Sequence, residues 1–115
     1  MNYMEAYYYK SAEILKEHLP CIPKLQLTYG KSYYGRIQVS TDNIIIRLSR
    51  HNLFVSEWLR DQEDIDELLD TICHEFAHLL FWNHDEDHKE TTQLFLTLVK
   101  SNLEIERLKY LLKTS

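Results

Sequence analysis

At 115 residues, with 44% hydrophobic and 27% charged side chains, the chain has the size and composition of one globular domain, taken as residues 1–115. Its longest apolar run is the four residues 79–82, and its first residues carry no leader or myristoylation pattern, so neither a membrane span nor secretion is expected. Two cysteines, Cys21 and Cys73, are too few for a disulfide framework and fit a reducing cytoplasm, while the net charge of −5 conceals a basic block and an acidic one.

Residues 3 to 18 repeat apolar side chains at Met4, Tyr8, Ala12 and Leu15, which is helical spacing, and Pro20 and Pro23 stop the helix. The triplet Tyr7-Tyr8-Tyr9 cannot all face inward, so some of its rings are expected at the surface. Residues 24 to 29 alternate, with Leu25, Leu27 and Tyr29 on one side, and Gly30 permits a turn. Residues 34 to 40 alternate again, with Ile37 and Val39 inward. Thr41-Asp42-Asn43 is turn chemistry and residues 44 to 48 form a β-branched strand, so the last two strands read as an antiparallel hairpin. Between residues 24 and 50, five bases face Asp42 alone, a net of +4. That hairpin can contact phosphates, but a solvated strand face is the simpler reading and nucleic acid is not expected as the main partner. Residues 51 to 60 are ambiguous; Ser56 can cap a short helical turn.

Residues 62 to 82 read as one helix. Asp61 is the N-cap candidate, with Asp64 three residues on. Ile65, Leu68, Leu69, Ile72, Phe76, Leu79 and Leu80 form a continuous apolar stripe. Residues 86 to 113 are helical, with Leu94, Leu98, Ile105, Leu108 and Leu112 on one face and a bend or break at Ser101-Asn102. Residues 51 to 90 set two bases against twelve acids, a net of −10. The expected fold is α+β: an N-terminal helix, a small antiparallel sheet of about three strands, a metal helix and a C-terminal helix or helical hairpin.

Four of the six histidines, His74, His78, His84 and His88, fall within fifteen residues. His74-Glu75-Phe76-Ala77-His78 places two imidazoles one helical turn apart on one face, where both can reach one ion. Glu75 sits about 100° around the helix from His74, close enough to hold a metal-bound water. One Zn2+ per chain fits, because zinc takes neutral imidazole nitrogen and keeps an open position when three protein groups bind it. In an unbroken helix His84 would point about 120° away from His78, so the helix must end between them. Asn83 offers a left-handed stop and Asp85 a cap for the next helix. His84 is the favoured third ligand, His88 a rival ligand or substrate contact, and Glu90 a weaker rival. Asp70, one turn before His74, is a candidate to orient that imidazole. Cys73 reads as a core residue, and His18 and His51 as surface residues.

The histidine spacing, with a third histidine six residues after the second, resembles that of several zincin-type families. Metzincins need a glycine three residues after the second histidine and a methionine turn; here Phe81 stands there and the only methionines are Met1 and Met4. The YbeY-type endoribonucleases carry glycine after the first histidine, where this chain has Glu75. The best match is the SprT-like group with its WLM and YgjP-type relatives. Gly35-Arg36-Ile37-Gln38-Val39, Ile44-Ile45-Ile46-Arg47-Leu48 and Leu68-Leu69-Asp70-Thr71-Ile72 resemble its core. One departure is His88, where that family often has an aromatic residue. The resemblance implies a zincin-like fold, zinc held by His74, His78 and His84, and Glu75 as general base. It implies a cytoplasmic zinc metalloendopeptidase, a hydrolase whose zinc-bound water attacks a peptide or protein substrate laid beside an exposed sheet edge, most plausibly the 44–48 strand. A metal-dependent endoribonuclease and a non-catalytic zinc-binding interaction module are the alternatives.

Overall fold

The structure, a computed structural model, describes residues 3–40, 43–53 and 62–114. Helix α1 (Tyr3–Leu15) tightens into a 3-10 turn at Lys16–His18 before the two prolines. Strands β1 (Lys24–Thr28), β2 (Gly35–Val39) and β3 (Ile44–Ser49) follow. After a short helix α2 (Arg50–Leu53) come α3 (Gln62–Ala77), α4 (Glu86–Lys100) and α5 (Leu103–Thr114). The expected α+β class holds, and α4 and α5 form the helical hairpin. Ser101 closes α4, and the Asn102 side chain accepts the Glu104 N–H at 2.8 Å, which starts α5. The Asp61 and Asp64 caps, the Ser56 turn, the Thr41-Asp42 part of the hairpin turn and the side chain of His51 lie outside what is described.

The sheet is mixed rather than wholly antiparallel. The β2–β3 hairpin is antiparallel as expected, pairing Ile37 with Ile46. β1 instead pairs parallel to β3, Leu25 opposite Ile46, and the strand order is β1-β3-β2. The 44–48 strand is therefore central and offers no free edge for a peptide. β2 is an outer strand. Tyr29 lies beyond β1 and is exposed, so only Leu25 and Leu27 of that alternation turn toward the core.

One core joins all layers. α1 contributes Met4, Tyr7, Tyr8, Ala12 and Leu15, β3 contributes Ile46 and Leu48, and α3 contributes Ile65, Leu68, Leu69, Ile72 and Phe76. Tyr7 and Tyr8 are both fully buried and only Tyr9 reaches the surface, because adjacent residues at about 100° can straddle one broad apolar face. The Tyr8 hydroxyl donates to the Pro23 carbonyl at 2.7 Å, tying α1 to the entrance of β1. In α4 the buried apolar residues are Phe95 and Val99, beside the buried His88 and Thr92, while Leu94 is exposed, so the inward face is shifted one residue from the expected one. No described helix is long and apolar enough to cross a membrane.

α3 runs between the sheet and α4, and it closes against β2. Gly35 makes that approach possible. A Cβ there would lie 2.8 Å from Thr71 Cγ2 and 3.3 Å from Glu75 Cγ. The strand bearing Gly35 is thus pressed onto the face of α3 that carries Glu75.

Candidate metal centre

The end of α3 creates the site. The helix stops at Ala77, five residues short of the expected end. Its last carbonyls are taken up by the turn that follows. Glu75, Phe76 and Ala77 accept from the N–H groups of His78, Leu79 and Leu80 in a tightened turn, at 3.2, 3.0 and 3.1 Å, and Ala77 accepts also from the Phe81 N–H at 2.9 Å. The His74 carbonyl accepts from the ring of His88 at 3.0 Å. Asn83 does not act as a left-handed stop, since no non-glycine residue described has positive φ. The chain reverses through this turn and a short irregular stretch instead. Asp85 then caps α4, its Oδ1 accepting the His88 N–H at 3.0 Å, with Glu86 and Asp87 exposed in the first turn.

This reversal carries His84 back over α3. Its Nε2 lies 3.2 Å from His74 Nε2 and 3.0 Å from His78 Nε2. One nitrogen from each of the three rings lies within 4.8 Å of the others. A tetrahedral zinc with bonds of about 2.0–2.1 Å holds its nitrogens roughly 3.3 Å apart, so the observed spacing fits. The tautomers fit too. His78 Nδ1 is 3.1 Å from the Phe81 carbonyl, which can only accept, so in the neutral ring Nδ1 carries the hydrogen and Nε2 keeps its lone pair. Burial, reinforced by the imidazoles of His88, His78 and His84, pushes the His74 pKa down to about 4. Burial also lowers that of His78. Both rings are held in the neutral form that a metal requires. The three histidines can therefore hold a metal ion.

Glu75 shares their cleft. It is 3% exposed, and its carboxylate has no hydrogen-bond or ion-pair partner among the described residues. Burial pushes its pKa up to about 7. A largely buried carboxyl group whose oxygens open only into a cleft marks a candidate functional position. It lines a cavity of about 300 Å³ together with Gly35, Arg36, Ile37, Trp82 and the three histidines. A larger cleft of about 720 Å³ meets the cluster from the α4 side, between Asp70, Asp85, Glu86 and His88. The metal position thus opens in two directions, toward β2 and toward α4.

The remaining candidates fall elsewhere. His88 is buried behind the cluster and not in it. Asp70 is exposed at the rim of the larger cleft, with no hydrogen bond to His74 among the described residues. Glu90 is exposed on α4 and outside the cluster. Cys73 is fully buried, as expected of a core residue. His18 is exposed, its ring 6.2 Å from that of Phe95. Residue spacing alone does not bring the β2 wall or Trp82 to the site. The one available signal was Gly35, one of only two glycines, at the head of a strand. No protein-family model, no curated protein and no solved structure matches the chain.

Proposed function

We propose that the chain is a small zinc-dependent metallopeptidase of SprT-like type. The observation that supports this reading most is the buried, unpartnered Glu75 carboxyl in the same cleft as three convergent imidazole nitrogens. His74, His78 and His84 would hold a zinc ion, and the Phe81 carbonyl keeps His78 in the ligating tautomer. When bound there, zinc would supply Lewis acidity toward a carbonyl oxygen and lower the pKa of water. Glu75 accepts the proton of the attacking water and returns it to the leaving amine. β2 is an outer strand, unpaired by any described strand on its far edge, and its first three residues line the cleft, so an extended peptide can add to that edge and cross the site. Trp82, 58% exposed, and Ile37 offer apolar surface to one of its side chains.

The test is cleavage of unfolded casein by the zinc-loaded protein. Glu75→Gln should keep the zinc and lose about 10²–10⁴-fold in rate, the usual worth of a general base. Cleavage of single-stranded RNA that survives Glu75→Gln would favour a nuclease, and zinc binding without hydrolysis of either would favour a binding module.

A further inference from the structure

Among the four histidines at the site, His88 is the most buried, 3% exposed against 8% for His78, while His84 lies open. Its ring stacks on that of His78, with centroids 4.0 Å apart and planes 24° from parallel. It meets the His74 ring edge-on at 4.5 Å and 82°. One side chain therefore touches the imidazoles of both His74, on α3, and His78, just past its end, each from a different direction. Its Nε2 lies 3.0 Å from the His74 carbonyl oxygen. Because a carbonyl only accepts, this nitrogen carries the ring hydrogen and donates it. That atom is committed to the end of α3 and is not offered to an ion. The residue is itself fixed from α4. Its backbone N–H donates to Asp85 Oδ1 at 3.0 Å and its carbonyl accepts from Thr92 Oγ1 at 2.9 Å. Asp85 immediately follows His84, so the same helix start sets the third histidine and the wedge behind the other two.

We infer that His88 is a positioning residue: wedged between the last turn of α3 and the first of α4, it presets the His74 and His78 rings for metal without ligating it. This rests on the reading of the three histidines as a metal site. Two imidazoles free to rotate would have to be ordered on binding, and that cost lowers affinity. His88 orders them beforehand through the stack and through the hydrogen bond to the helix end.

Zinc affinity of the whole chain, measured by competition with a chromophoric chelator, tests the idea in wild type, His88→Phe, His88→Gln, His88→Ala and His78→Ala. The visible spectrum of the cobalt(II)-substituted protein and the thermal melt of the metal-free protein are recorded alongside. His88→Ala should bind zinc about 10–100-fold more weakly, the usual cost of losing a group that orients ligands. Phe keeps the stacking and Gln keeps a donor, so both should fall between Ala and wild type. At saturating cobalt all three should retain the wild-type band shape, because the ligands are unchanged. Should His88→Ala not fold, the Phe and Gln affinities decide. Wild-type affinity in the folded variants, whatever their melting temperatures, overturns the inference and leaves the metal site standing. A cobalt band in His88→Phe that reports a lost ligand overturns it in the other direction, making His88 a ligand. Wild type that binds no better than His78→Ala removes the metal site itself, and the inference with it.

Discussion

His78 and His84 bring their Nε2 atoms to 3.0 Å of one another across the reversal between α3, which ends just before His78, and α4, which starts just after His84. The first ring is oriented by the Phe81 carbonyl, and the second is delivered by the turn that Asp85 caps. Metal analysis of the purified protein should find close to one zinc per chain. His84→Ala should lose it while the far-ultraviolet circular dichroism stays that of wild type, because this side chain is exposed and outside the core. Asp85→Ala keeps all three histidines but removes the cap; it should cost about 1 kcal/mol of stability and weaken zinc without abolishing it. Full zinc occupancy in His84→Ala would remove His84 from the ligand set.

Gly35 and Thr71 are in mutual contact across the β2–α3 interface. Gly35→Ala would place a Cβ 2.8 Å from Thr71 Cγ2, closer than real contacts allow. It should destabilise by about 1–3 kcal/mol, the range for overpacking, read as an earlier urea midpoint. The double variant Gly35→Ala, Thr71→Ser deletes the clashing methyl. It retains a hydroxyl able to donate to the Glu67 carbonyl, as Thr71 does at 2.9 Å. It should recover most of the loss. Equal midpoints for the single and double variants would mean that the strand yields elsewhere.

The sequence disclosed what depends on neighbours along the chain. The apolar stripe of α3 is buried at Ile65, Leu68, Leu69, Ile72 and Phe76, because a helix face follows from spacing alone. The pairing of His74 with His78 and the capping by Asp85 are equally local. The parallel partner of β1 was not legible, since it joins Leu25 to Ile46 across the intervening strand. Neither was the end of α3. No glycine or proline marks Ala77, and the helix closes there because residues further along supply donors to its carbonyls. In α4, Leu94–Leu98 and Phe95–Val99 have the same periodicity, and only the packing partners choose between them. The distance of His88 along the chain allows it to be a rival ligand. Its actual partners are the His74 carbonyl and the rings of His74 and His78, at and just past the end of α3.

Cys21 and Cys73 should differ sharply toward a thiol-reactive chromogenic disulfide. Cys21 is exposed and Cys73 fully buried. Burial, with the nearby Asp70 charge, holds the Cys73 thiol far above its usual range and so keeps it protonated. One equivalent should react rapidly in the native protein and a second only as the chain unfolds. The second phase then reports opening of the α3 core. Two equally fast thiols would show that α3 opens readily at Cys73.

Tyr7 and Tyr8 predict a loss of stability in alkali. Both rings are fully buried. The Tyr8 hydroxyl donates to the Pro23 carbonyl, whereas the Tyr7 hydroxyl has no hydrogen-bond partner among the described residues. Burial, assisted by the Glu106 charge, pushes the Tyr7 pKa up to about 12, and burial raises that of Tyr8 too. An unfolded tyrosine ionises near pH 10, roughly the ordinary phenol value. Above that pH the unfolded state loses protons that the folded state keeps, so stability falls as pH rises. The contribution of Tyr7 is intact below about pH 10 and is lost progressively toward about pH 12. Two pKa units correspond to roughly 3 kcal/mol. Tyr7→Phe removes a buried hydroxyl that gains nothing in the fold, so at pH 8 it should be neutral or stabilising. It should also unfold less steeply than wild type as the pH is raised. Tyr8→Phe loses a made hydrogen bond and should cost about 1 kcal/mol at pH 8. Urea midpoints at pH 8 and pH 11 separate the two. If Tyr7→Phe loses as much stability in alkali as wild type, the ionisation responsible lies at another residue.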